Sequence, residues 1–270
     1  MYLKFTAISL LLSILLLSCE KDNEVSPDKR LRNCAIEYLY FEDNHLFRNN
    51  DYSFPAADAL ELKVRFKYKG EDIIKSIGGF LPVPDGTNFS NLIFKSEAYD
   101  SIVHQPNTTK VYTKPEVEYI WDDDPSNPII YKTNKNNRLQ KVIRRDSTTC
   151  NYVYSDDLII EKDSENNIRR KFYFENNNLI KVETEDTNSE GVVDYRKEIL
   201  FQDYDNKPNP LQNKYHILGA FYRAFSENNY EDIQVYEYER RDGEMKVTTD
   251  YWYEMPIDYD DGYPKFGDYL

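Results

Sequence analysis

The sequence predicts an all-β protein, mainly an antiparallel meander of β-hairpins forming one elongated or curved sheet. Three observations carry that prediction. Leu60, Leu62, Val64, Phe66 and Tyr68 alternate strictly with Glu61, Lys63, Arg65, Lys67 and Lys69, so a strand of period two would be apolar on one face and charged on the other. From Tyr131 onward, Asn/Asp-rich turns recur between β-prone runs, with Leu139, Leu158 and Leu179 separated by 19 and then 21 residues. That is a hairpin-sized period. Finally, 24 Tyr and 14 Phe against only 9 Gly describe a chain of strand-forming residues with enough apolar area to fold.

The elements follow in order. Lys4 precedes an apolar run from Phe5 to Leu17, the layout of an export signal, and the run is short for a membrane span, which needs about 20 residues. Leu16, Leu17, Ser18 and Cys19 resemble the lipobox of bacterial lipoproteins. That resemblance implies a signal peptide over 1–18, lipid attachment at Cys19 and membrane association through the N-terminal lipid. Acyl chains contribute about 0.8 kcal/mol per buried methylene, so such an anchor is effectively permanent. Residues 19–33 are charged and aperiodic and read as a flexible tether, with a reach of roughly 20 Å. Its opening, Cys19 to Glu24, resembles the acidic, lysine-containing signals of surface-exposed lipoproteins, although a soluble linker accounts for the same charges. The expected location is therefore the outer membrane, facing outward, with the periplasmic face as the alternative.

Residues 34–130 form an N-terminal β region. After the alternating strand, Lys69, Gly70 and Glu71 make a turn, and Ile73, Ile74 and Ile77 begin the return strand. Pro82, Pro84 and the Asp85-Gly86 pair make Leu81 to Asn91 loop or edge. Residues 131–270 form a hairpin-repeat β region, continuous with the first. Its turns are placed at Asn136-Asn137, Asp156-Asp157, Asn166-Asn167 and Asn176-Asn177-Asn178, because asparagine tolerates the left-handed backbone of tight turns. A loop or short helix is expected near 211–226, where Tyr215 to Phe225 lacks a period of two. A last hairpin follows, with strands at Ile233 to Glu239 and Met245 to Tyr253. Cys34 and Cys150 remain after Cys19; in an oxidising compartment they can pair or stand as two separate buried thiols.

The tract Tyr173 to Val182 (YFENNNLIKV) resembles a degenerate YD-type repeat, and Tyr68 to Ile77 and Tyr238 to Val247 resemble it more loosely. Phe201 to Leu211 and Tyr259 to Pro264 look like segments of YD-repeat-like lipoproteins of Bacteroidota. The resemblance implies a β-meander lipoprotein without an established activity.

The chemistry is sparse. With 34 basic against 48 acidic residues and a net charge of −14, the chain is unsuited to nucleic acid or anionic lipid. No nucleotide-binding, nucleophile-elbow or zincin motif is present, and His45, His104 and His216 lack metal spacing, so no catalytic residue, cofactor or metal is assigned. Asp122-Asp123-Asp124 and the Asp258 to Gly262 turn do not fit an EF-hand and read as acidic strand ends. Tyr236, Tyr238, Tyr251, Trp252 and Tyr253 are candidates for an aromatic binding face that stacks a glycan or grips a protein, although tyrosine also bridges a core to water with no ligand at all. The expected function is a non-catalytic binding or scaffolding module at the cell envelope. Its rival is a surface glycan hydrolase using an Asp/Glu pair.

Overall fold

The computed structural model describes residues 34–35, 63–70, 72–82, 92–114, 127–217, 221–254, 256–260 and 263–265. Cys19, the tether, Asp122 to Asp124, His45 and the opening Leu60 to Leu62 of the alternating strand lie outside these residues. The chain is an antiparallel meander. Its first strands are β1 (Cys34–Ala35), β2 (Lys63–Lys69), β3 (Asp72–Pro82), β4 (Leu92–Gln105) and β5 (Thr108–Lys114). The repeat region supplies β6 (Ile129–Thr133), β7 (Leu139–Ile143), β8 (Thr149–Tyr154), β9 (Leu158–Lys162), β10 (Ile168–Glu175) and β11 (Asn178–Thr187). Two long strands, β12 (Val193–Pro208) and β13 (Asn228–Arg241), precede β14 (Glu244–Glu254) and a small hairpin, β15 (Asp258–Asp260) and β16 (Tyr263–Lys265). The first fourteen pair in sequence order within one sheet, and β14 is not paired back to β1, so the sheet is open.

The turns show why the chain reverses where it does. Four connections share one backbone pattern: the first residue's N–H bonds the carbonyl four residues on, and the fourth N–H bonds back to the first carbonyl, at Asn134, Arg144, Asp163 and Asn188. The fourth residue of each, Asn137, Ser147, Asn166 or Gly191, has φ between 59° and 76°. This is a type I turn closed by a left-handed residue. In three of the four, the first side chain adds its own bonds: Asn134, Asp163 and Asn188 each accept two backbone N–H groups through Oδ1. The Asn176-Asn177 and Asp242-Gly243 turns have positive φ at both central residues, the backbone of a two-residue type I′ hairpin.

Strand alternation gives the sheet one apolar face, and a sheet with one such face needs a second layer. That layer is the connection between β12 and β13, residues 209–227, which lies across the sheet. Its described residues include one short 3-10 turn, Arg223–Phe225. Tyr215, Ile217, Phe221, Tyr222 and Phe225 are buried in it, together with Phe172 and Phe201 of the sheet. Phe225 stacks 5.0 Å from Phe172, Tyr215 5.0 Å from Phe225, and Tyr222 5.5 Å from Phe201. Asn209 stitches the strap closed: its Nδ2 donates to the carbonyls of Arg223 (2.7 Å) and Ser226 (3.0 Å). The expectation of a loop or short helix over 211–226 describes its backbone. Its role as the core's lid was not expected.

Candidate binding face

The other face of β10 to β14 is a grid set by register. Lys171 faces Glu183, Glu183 faces Glu198, and Glu198 faces Tyr236, which faces Asp250. One row over run Tyr173, Lys181, Leu200, Gln234 and Trp252; on the opposite side of the Lys171 row lie Glu185, Arg196 and Tyr238. The charges are largely neutralised within the grid. Lys171 Nζ reaches Glu183 (2.9 Å) and Glu185 (3.0 Å), Lys181 Nζ reaches Glu183 (3.0 Å), and Arg196 grips Glu185 through Nε (2.9 Å) and Nη2 (2.7 Å). Burial alone would push the Glu183 carboxyl up, but the hydrogen bonds from Lys171 and Lys181 bring it down to about 2. Lys171 responds in the opposite sense and is held above its ordinary range, first by Glu183.

Aromatic groups occupy the gaps. Tyr236 and Tyr238 lie 6.3 Å apart between ring centroids, and Tyr238 donates to Glu198 (3.3 Å). Lys181 Nζ lies over the Tyr173 ring at 4.4 Å. Trp252, opposite Gln234, is 54% exposed. Tyr251 and Tyr253 occupy the alternate register positions, opposite the buried Val235 and Ile233. The face described here is therefore built on Tyr236, Tyr238 and Trp252.

Carboxylates converge at one corner of this face. Asp203, at φ 50°, hydrogen-bonds the carboxyl of Asp232, which also receives the Trp252 indole N–H and feels the charge of Glu254. Desolvation and the Asp203 carboxyl raise the pKa of Asp232. Sequence reasoning missed this pair, because its members sit on different strands and only register joins them.

Further titratable groups lie at the strap and within the sheet, with His104 and His216 half-buried. His104 and His216, remote in sequence, meet edge to face at 5.2 Å. Glu161 and Arg170, 1% and 4% exposed, form a bidentate pair through Arg170 Nε (3.0 Å) and Nη2 (2.7 Å). Tyr152 donates to the same Glu161 oxygen (2.9 Å), and Arg170 Nη1 donates to the Tyr222 hydroxyl of the strap (2.9 Å). Asp100, Thr113 and Arg145 form a second buried chain, in which Thr113 donates to Asp100 and accepts from Arg145. Cys150 on β8 is buried with a free thiol, while Cys34 stands on β1. In the C-terminal hairpin, Tyr259 donates to Asp205, and Asp258 is exposed. Among the described residues, no group of three His, Cys, Asp or Glu side chains is placed to hold a metal ion.

No family model matches the chain and no curated protein matches it, so the likeness to YD repeats gains no support from either comparison. Among solved structures the chain is similar to a porin-like protein from Bacteroides vulgatus ATCC 8482. The two share 11% identity at a TM-score of 0.44, over 77% of this chain and 86% of that one. A porin-like protein from Bacteroides uniformis ATCC 8492 is similar at 8% identity and a TM-score of 0.34, over 71% and 87% of the two chains. Likenesses of this degree carry no argument about function. What the fold itself defines is an all-β protein built on one open fourteen-stranded meander, whose apolar face is covered by the connection between β12 and β13.

Proposed function

We propose that the protein is an outer-membrane lipoprotein, anchored through Cys19 and facing outward, whose sheet is a non-catalytic binding or scaffolding module. The face around Tyr236, Tyr238 and Trp252 takes the ligand, a glycan or a protein. The observation that carries this reading is an indole more than half exposed beside a tyrosine pair, on a sheet face whose ionic groups are mostly spent on one another. Charges paired with one another leave aromatic surface as the binding resource, since stacking on rings needs no net charge.

Two measurements test the proposal. Replacing Cys19 by alanine should abolish metabolic labelling with a fatty-acid probe, and continued labelling would refute the anchor. Cross-linking in whole cells should capture a glycan or protein partner with the native chain. That yield should fall at least tenfold in the Trp252→Ala, Tyr236→Ala double variant with its fold intact; an unchanged yield removes the face from the reading.

A further inference from the structure

His216 sits in the strap with its side chain turned against the sheet. His104, on β4, meets it edge to face at 5.2 Å, and Tyr131, on β6, lies 6.4 Å away. His104 has no capacity left for it. Its Nε2 lies 2.8 Å from the Ile73 carbonyl and must donate, which leaves Nδ1 to accept from the Thr109 hydroxyl at 3.2 Å. The Nε2 of His216 is buried without a hydrogen-bond partner. A neutral imidazole tolerates that arrangement, whereas an imidazolium would place a charged N–H against an aromatic edge with nothing to accept it.

We propose that His216 is an acid-sensitive clasp, whose protonation releases the Asn213–Ile217 end of the strap from β3 to β7 while the Phe221–Phe225 end stays seated. The charged and titratable groups that face it are His104 from β4, Tyr131 from β6 and Lys214 from its own segment. Arg138, near Tyr215, adds a further cation. None of these is an acid, so among the described residues nothing facing the ring stabilises a proton on it. Burial first, and then His104 and Lys214, lower its pKa to about 3. Release restores the ordinary value near 6.5, so opening is favoured as pH falls below that value.

The two ends of the strap differ in what holds them. The Phe221–Phe225 end has Arg170 bonded to Tyr222, Arg223 Nη1 bonded to the Tyr230 carbonyl at 2.9 Å, and the ring cluster around Phe172. The other end is held by Ile217, by the Tyr215 ring against Phe225 (5.0 Å) and Phe221 (6.4 Å), by the Tyr215 hydroxyl on Asn213 Oδ1 (3.0 Å), and by three backbone bonds, from Asn213 to the Ala224 carbonyl and from Lys214 and Ile217 within the turn. Among the described residues, the clasp acts at the end that lacks an arginine tie to the sheet or to β13.

Hydrogen exchange on the full chain in detergent, corrected for the pH dependence of intrinsic rates, tests this. Between pH 6.5 and 4.5 the opening constant of amides in 213–217 should rise about fifty-fold, approaching tenfold per unit at the acid end, while amides in β10 to β12 keep their protection. His216→Phe should remove that rise. Lys214→Glu, at a half-exposed position, supplies a carboxylate beside the ring and should make the rise shallower without depending on the His216 substitution being tolerated. Strap and sheet opening together, a rise absent from the native chain, a rise that survives His216→Phe, or a slope unmoved by Lys214→Glu would each overturn the clasp.

Discussion

Arg170 is a cation inside an aromatic layer, and it persists there because four groups divide the task of replacing water. Glu161 neutralises it and accepts two of its N–H groups, Tyr222 accepts a third, and its guanidinium carbon lies 5.4 Å over each of the Phe172 and Phe221 rings. Removing one partner from such a pair strands the other, so Arg170→Met should cost about 3–5 kcal/mol in a urea titration. Adding Glu161→Leu should recover part of that loss. Glu183 gives the pH dependence on the outer face. Its folded-state pKa is lowered from 4.5 to about 2, so its contribution is fully present above 4.5 and is lost as pH falls toward 2. Glu183→Gln should flatten the stability curve in that window and leave the slope above pH 5 unchanged. Burial, and after it the Glu161 charge, raise the Cys150 thiol to about 11, so a thiol reagent at pH 7 should modify Cys150 only after unfolding.

The turns and strands were legible because their causes are local. Asparagine or aspartate at the first position and a left-handed residue at the fourth define a turn within five residues, and the Asn166-Asn167 and Asn136-Asn137 signals fall inside two of the four shared turns. Asn137→Ala should lower stability by about 1 kcal/mol, since a Cβ-bearing residue without a bonding side chain disfavours positive φ, and Asn137→Gly should stay within a few tenths. A thermal melt of each variant checks both. Strand ends were less legible. The last hairpin was expected at Ile233 to Glu239 and Met245 to Tyr253, yet it extends over Asn228–Arg241 and Glu244–Glu254. Polar residues such as Glu244 and Arg241 pair as well as apolar ones once the neighbouring strand is in place, and that extension leaves no mark on periodicity.

At the scale of the molecule, one sheet of fourteen strands is stabilised by a strap that belongs to none of them. A meander alone buries nothing on its apolar face, and each strand pairs only with its neighbours. Phe225 joins the strap to β8 and β10 through Tyr152 and Phe172, so its truncation acts on the whole structure. Phe225→Ala should cost about 3–5 kcal/mol. Near-ultraviolet circular dichroism should report loosened aromatic packing while the far-ultraviolet strand signal survives. A variant with native near-ultraviolet signal and stability would remove the strap from its place in the core.

The sequence by itself determined the fold class, the antiparallel order and most of the turn positions, because alternation and turn chemistry are relations between residues a few positions apart. The aromatic density of Tyr215 to Phe225 without a period was the one local trace of the strap. Only the tertiary structure decided what that segment covers, that Arg170 reaches Tyr222 across 52 residues, that Asp203 meets Asp232, and that two of the three histidines touch. Those contacts depend on sheet register and on how a long connection folds back over it, and no short-range pattern in the chain encodes either.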